Sequence, residues 1–202
     1  KDQDDIYYLT GESRAIVENS PQVEGFRERG LEVLYLVDPV DEFVVHSLTE
    51  FEGKTLKSAA RGAVNLEKRA DDDSDEKQKR AADYEGLLEG LQARLSDSIK
   101  EVRLSSRLTS SPACLILDEG DLSPQMERLL QQTDSPFGSV GRQKRILELN
   151  PEHAVVRKLQ ERFAEDKGDP LLDSYAQLLL GYALIAEGSK PVEPGEFNKL
   201  LA

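Results

Sequence analysis

Residues 170–187 read PLLDSYAQLLLGYALIAE, and the way this stretch divides its apolar side chains decides the fold. Its polar or small positions, Asp173, Ser174, Gln177 and Gly181, gather into one narrow stripe when wound as a helix. Leu171, Tyr175, Leu178, Tyr182 and Ile185 recur at alternating steps of four and three, the seam of a helix packed on other helices. Leu172, Leu179, Ala183 and Ala186 make a second seam beside it. One seam can face the chain's own domain, and the other needs a further partner. The helix spans only about 27 Å at about 1.5 Å per residue. Its tyrosines and Asp173 are unlike a lipid-facing segment, which needs about 20 predominantly apolar residues. Asp169 is placed to cap it, Pro170 suits its first position, and Gly188 suits a left-handed terminating residue.

Periodicity alone also allows a central helix buried in a monomer. The C-terminal residues favour the other arrangement. After the breaker SKPVEPG comes a second short helix, about Pro194 to Leu201, with Phe197, Leu200 and Leu201 on one face. The two form an antiparallel hairpin, and two copies of a hairpin make a four-helix bundle, which is an isologous dimer. The expected contact residues are Leu171, Leu172, Tyr175, Leu178, Leu179, Tyr182, Ile185, Phe197, Leu200 and Leu201.

The 202 residues carry a formal net charge of -13, a field that repels phosphate backbones and argues against a nucleic-acid partner. No apolar leader or spanning stretch appears, so no membrane role is expected. The chain starts at Lys1 and enters a strand almost at once, which reads as a piece of a longer protein. Cys114 is the only cysteine, which excludes an internal disulfide and suits a reducing cytoplasm. With only His46 and His153 besides, no zinc site is expected.

Along the chain, IYYL (6–9), a capped helix from Ser13, LEVLYLV (31–37), a helix after Asp38-Pro39 and a weak strand at 54–58 alternate as strand, helix, strand, helix, strand. This order implies a small parallel α/β layer. The apolar run 31–37 reads as a strand buried on both faces, and Phe43, Val44 and Leu48 read as the inner face of the helix that follows. The turn after the first strand offers only Gly11 beside Glu12, without a dinucleotide fingerprint or a P-loop lysine, so no phosphate site is expected there. Charge dominates from Arg61 to Arg80, and a domain boundary is placed near residue 70. Ala81, Tyr84, Leu87, Leu88, Leu91 and Leu95 then define a long amphipathic helix. Val102 to Leu108 and Ala113 to Leu117 read as strands paired around a turn at Thr109 to Pro112, with Ile146 to Leu149 as a third. Asn150-Pro151 is expected to cap a helix whose apolar face is Val155, Val156, Leu159 and Phe163, leaving His153 at the surface. The fold class is therefore α+β: residues 1–70 form the α/β layer, and residues 71–202 form a mixed domain. That second domain has a three-stranded sheet of antiparallel type, helices and the C-terminal hairpin.

Between the second and third of these strands lies DLSPQMERLLQQT (121–133). Ser123 can cap a short helix, Pro124 suits its first position, and Met126, Leu129 and Leu130 share a face. That face either covers the adjacent sheet or is exposed. The Pro- and Gly-containing run from Asp134 to Gly141 is expected to tether the helix loosely.

Several literal runs, in this order, resemble the heat shock protein 90 chaperone family, most closely its bacterial HtpG branch. They are DIYYLTGES, GLEVLYLVDPVDEFVVHSLTEFEGK, KEVRLSSRLTSSPACL, LSPQMERLL, RILELNPEHAVVRKL and DSYAQLLLGYALIAEG. The resemblance implies that residues 1–70 close a middle domain and residues 71–202 form the C-terminal dimerisation domain. It implies an ATP-driven chaperone that pairs through its last two helices. It also implies that Leu122, Met126, Leu129 and Leu130 touch unfolded or partly folded client proteins in a cleft. In that family ATP and magnesium are handled by an N-terminal domain and by an arginine earlier in the middle domain, so no catalytic, cofactor-binding or metal residue is expected here. The ending Leu200-Leu201-Ala202 also departs from the acidic tail of cytosolic eukaryotic members. Two other readings stand beside this one. An acidic dimeric scaffold without client binding is the first, and a small α/β enzyme, for which no nucleophile, base or metal cluster can be assembled, is the second.

Overall fold

The structure is a computed structural model that describes residues 3–62, 74–131 and 143–201. Its first sheet is built around β1 (Ile6–Thr10), which runs parallel to both β2 (Val33–Leu36) and β4 (Lys54–Ser58). Between β1 and β2 come α1 (Arg14–Glu18), a single 3-10 turn at Pro21–Val23 and α2 (Glu24–Glu28). Ser13 caps α1 by accepting from the Ile16 N–H, and Ser20 caps the turn that Pro21 opens. Leu9, Val17, Val23 and Phe26 form the small core on this face, with the Tyr7 ring edge-on to Phe26 at 4.8 Å.

Three features differ from the sequence expectation. A two-residue strand, β3 (Glu50–Phe51), adds antiparallel to β4 and gives the order β2-β1-β4-β3. Glu52 and Gly53 both take positive φ, 49° and 76°, as a tight hairpin turn demands, and Gly53 is the one visible sign of it in the sequence. Second, β2 is an edge strand with Leu34 exposed, so only Val33 and Tyr35 pack on the core. Third, α3 (Asp41–Ser47) is turned the other way: Phe43 is 59% exposed, while Glu42, at 6%, faces inward. Val44 and Leu48 are exposed with Phe43. The Asp41 carboxylate holds the Asp38 N–H at 2.9 Å, and the connections to β2 and β3 are short.

The second half opens with α4 (Ser74–Arg94), which buries Tyr84, Leu87 and Leu91 and continues to the buried Leu95, while Ala81 faces solvent. Its sheet holds β5 (Ile99–Leu104), β6 (Ala113–Ile116) and, beyond α5 (Pro124–Gln131), β7 (Arg145–Leu149). The expected pairing of β5 with β6 is wrong. β7 lies between them, parallel to β5 and antiparallel to β6, and the sheet is mixed. Ser106 and Leu108 leave the strand, because the crossing segment carries Arg107 into the interior. The Glu148 carboxylate, on β7, accepts from Arg107 Nε at 2.9 Å, Arg103 Nη2 at 2.9 Å and Ser105 Oγ at 2.8 Å.

The two halves dock through polar groups. Arg107 also donates to the carbonyls of Ala59 and Gly62. The Leu117 N–H bonds Ala60 O at 2.8 Å, and Gln22 Nε2 reaches Leu115 O at 2.5 Å. Glu24, at the start of α2, accepts from the N–H groups of Thr109, Ser110 and Ser111 and from both serine hydroxyls. Burial alone would raise the Glu24 pKa, but the Ser111 hydroxyl and these N–H groups outweigh it and hold it below the ordinary glutamate value. The expected division near residue 70 and the tether at 134–141 fall outside the described residues.

Helices α6 (Ala154–Glu165) and α7 (Leu171–Ala186) complete the main core with α4 and the sheet. His153, expected at the surface, caps α6 through Nδ1, while the Asn150 side chain takes the Glu152 N–H. Val156, Leu159 and Phe163 face inward as expected, and Val155 does not. Asp169 Oδ1 accepts the Leu171 N–H at 2.9 Å. At the other end Gly188 has φ 85°, with Gly188 N bonded to Ile185 O and Ser189 N to Leu184 O, a Schellman termination. Helix α8 (Pro194–Leu201) then folds back on α7, where Phe197 lies over Gly181 so closely that a Cβ there would fall 2.2 Å from its ring.

Arg107→Ala leaves Glu148 buried with fewer donors and should cost about 3–5 kcal/mol in urea unfolding monitored by circular dichroism. Arg103→Ala should cost less, about 1.5 kcal/mol, and equal losses would contradict the central place given to Arg107. Gly181→Val should displace Phe197 and cost about 1–3 kcal/mol from overpacking, more than the roughly 0.3 kcal/mol of helix propensity gained on replacing glycine by valine. Amide exchange in residues 196–201 should accelerate while that of β7 does not.

Candidate functional site

Two surfaces stand out once the core is assembled. The first lies on the C-terminal hairpin. Leu171, Tyr182 and Ile185 of α7 point outward, with Tyr175 and Leu178 half-buried along the same stripe. Ile185 is 52% exposed and Leu201 of α8 is 64% exposed, so both helices of the hairpin carry outward apolar groups. Phe197 and Leu200 are half-buried between the helices. Leu172 and Leu179, expected to share the contact, are buried in this chain's own core with Ala176 and Ala183. They leave the candidate interface, because the second seam is the one that faces home. The Tyr182 hydroxyl donates to Ser111 Oγ at 2.9 Å, and Ser111 in turn donates to Glu24, so the stripe is anchored to the junction between the two halves.

The second surface is a cleft of about 810 Å³ between β4 and α3 on one side and the entry to α5 on the other. Val45, Leu56, Leu122 and Met126 supply apolar wall, and Glu42, His46, Arg61 and Asp121 supply polar wall. Ser123 Oγ caps α5 by accepting the Met126 N–H at 2.9 Å, as its sequence implies. Leu122, Met126, Leu129 and Leu130 are all half-buried, neither sealed in the core nor fully in solvent. Helix α3 forms the opposite wall through Glu42, Val45 and His46, whereas its exposed Phe43 and Val44 lie outside the cleft. Sequence reasoning missed this wall, because the apolar stripe of α3 is Phe43, Val44 and Leu48, whereas the residues facing the cleft are Glu42, Val45 and His46.

Neighbouring charges of α5 point to different halves of the molecule. Glu127 Oε2 meets Arg145 Nη2 of β7 at 2.7 Å, and Arg145 Nη1 pairs with Glu187 at the end of α7. Arg128 Nε meets Glu12 Oε1, in the turn after β1, at 2.8 Å.

The turn at Gly11 and Glu12 does not suit a nucleotide phosphate. A Cβ at Gly11 would sit 2.6 Å from Val17 Cγ2, so the glycine serves close packing, and the Glu12 carboxylate is engaged by Arg128. Burial, with Glu148 beside it, pushes the Cys114 thiol well above its ordinary pKa, which opposes a nucleophilic role. Among the described residues no group of three or more His, Cys, Asp and Glu side chains converges as a metal would require. Among the same residues no helix is long and apolar enough to cross a membrane.

The chain is similar to the chaperone protein HtpG of Streptomyces coelicolor, 47% identical over 201 residues, and to that of Geobacter sulfurreducens, 43% identical over 202 residues. The HtpG of Mycobacterium leprae is 47% identical over 208 residues. In each case 99% of this chain is covered but only 31% of the relative, so the chain spans about a third of the length of the curated relatives it matches. The family described as Hsp90 protein matches residues 1–202. With that match running from end to end, the chain belongs to the Hsp90 protein family.

Proposed function

We propose that this chain is the part of a cytoplasmic, ATP-driven chaperone that joins two copies and presents a cleft to unfolded or partly folded proteins. The observation that carries the reading is that one acidic chain holds both an outward apolar stripe, of α7 with Leu201, and a large cleft of mixed polar and apolar lining between α3 and α5. A second copy docked on the hairpin buries the first surface by two-fold symmetry and sets two clefts in one assembly, which raises avidity for an extended client. Leu171, Tyr175, Leu178, Tyr182, Ile185, Phe197, Leu200 and Leu201 carry the pairing. Leu122, Met126, Leu129 and Leu130, with Val45 of α3 opposite, carry the client contact. ATP and magnesium are assigned to a part of the protein outside this chain on the strength of the family resemblance alone. The half-burial of Met126, Leu129 and Leu130 favours a second reading, a dimeric scaffold in which α5 only packs internally.

Pairing is tested by Leu171→Lys with Ile185→Lys. Both positions are exposed, so the monomer should stay folded. Each charge enters a symmetric interface twice and replaces about 1.5–3 kcal/mol of apolar burial. Dimer dissociation should therefore rise by at least about a thousandfold. Sedimentation equilibrium with circular dichroism checks this, and an undisturbed dimer rejects the interface.

Client contact is tested on both walls. Val45→Ser changes a half-buried side chain of the α3 wall and should cost no more than about 1 kcal/mol. It should nevertheless weaken suppression of aggregation of a chemically unfolded protein. Met126, Leu129 and Leu130 all changed to Ser should weaken it further at a modest stability cost. If that triple variant instead loses about 2–5 kcal/mol per residue, as core truncations do, and the α3 variant keeps full activity, the scaffold reading prevails.

A further inference from the structure

We infer that α5 is a latched lid, held by two ion pairs of opposite polarity, and that its release lengthens the apolar floor of the cleft. The inference rests on the client reading only for its purpose; the latch itself stands on geometry. Glu127 and Arg128 are adjacent, so on a helix they diverge by about 100°, and each finds its partner in a different half of the molecule. Glu127 reaches inward to Arg145 on the central strand, and Arg128 reaches across to Glu12.

The two clasps differ in kind. The side chains of Arg145, Glu127 and Glu187 are 5%, 11% and 5% exposed, against 28% and 48% for Arg128 and Glu12. Salt screens the outer clasp and leaves the inner one largely untouched. The inner clasp is also uneven. Arg145 answers two carboxylates, Glu127 and Glu187, and its Nε has no hydrogen-bond partner. Were Glu127 to withdraw, Arg145 and Glu187 would remain as a matched pair, so α5 can leave without stranding a buried charge on the sheet.

Something lies beneath the lid. Ser123 and Pro124, at the start of α5, roof a small cavity of about 40 Å³ floored by Leu9, Val17 and Leu117. Glu42 lines both this cavity and the large cleft, is almost wholly buried, and has an oxygen, Oε1, without a partner. Lifting α5 joins the two spaces, adds that apolar floor to the client surface and gives Glu42 access to donors. Because Arg145 is shared with Glu187, the same motion is felt at the C-terminal end of α7, the helix proposed to pair the copies.

The test uses the full chain with Glu127→Gln and Arg128→Gln together, read by amide hydrogen exchange. Residues 126–131 should exchange at least about tenfold faster, with β7 and the middle of α7 unchanged. Binding of reduced, carboxymethylated α-lactalbumin should tighten severalfold. Unchanged exchange in α5 overturns the latch, as does acceleration spread equally through β7 and α7, which would mark the charges as general supports of the fold. Should the double variant not fold, Glu12→Gln alone must speed α5 exchange in dilute buffer and match the parent in 1 M sodium chloride, and no difference at low salt overturns the proposal. If the parent fails to bind the unfolded probe while α5 exchange still accelerates in the variants, the client reading falls and the latch remains.

Discussion

Glu148 places a carboxylate in the middle of a strand whose every residue is buried, and the topology around it is the arrangement that satisfies it. A lone charge at that depth would cost several kcal/mol. Here Arg103 from β5, Arg107 and Ser105 from the crossing segment converge on its two oxygens. Arg107 directs its remaining donors to the carbonyls of Ala59 and Gly62, which belong to the first half of the chain. One ion pair therefore fixes the position of β7 between its neighbours and the seating of the α/β layer on the second half. Apolar packing alone would accept several strand orders. A buried charge accepts very few, because each alternative strands either Glu148 or Arg107.

That same interaction explains where the sequence could and could not be read. The α7 helix was legible because its information is local: two seams, a capping Asp169 and a terminating Gly188 all act within a turn or two of the residues they govern. The strands of the first layer were legible for the same reason. The order of the second sheet was not, since it depends on Glu148 meeting Arg107, residues far apart in the chain that look like surface charges in a linear pattern. Likewise the stripe of α3 was visible but its direction was not. Periodicity shows that a face is apolar, not which way it points. Leu172 and Leu179 were misplaced for a related reason. Two adjacent seams on one helix are equivalent until the rest of the core chooses between them.

The exposed apolar groups become intelligible against the charge. A chain with a net charge of -13 repels its copies at a distance, which keeps Phe43, Val44, Ile185 and Leu201 from promoting unspecific association. The proposed pairing through the hairpin would need close shape contact to overcome that repulsion, and the tight seat of Phe197 on Gly181 would supply a rigid surface for it. Rigidity is reinforced at Tyr182, which is tied through Ser111 to Glu24 and so to the α/β layer.

The hairpin and the cleft are thus not independent attachments to a common core. Both are wired to the junction of the two halves by polar groups that have few alternatives: Tyr182 through Ser111 to Glu24, and α5 through Arg128 to Glu12. A change in how the α/β layer sits on the second half must alter the surroundings of Glu24 and Arg107 before it alters anything apolar, because those are the groups that cross the junction. The apolar cores on either side can remain intact throughout. A motion that begins elsewhere in a longer chain and reaches this layer would then arrive at the cleft and the C-terminal helices as a rearrangement of ion pairs and caps. Such contacts have discrete partners and break over short distances, whereas close-packed side chains yield little.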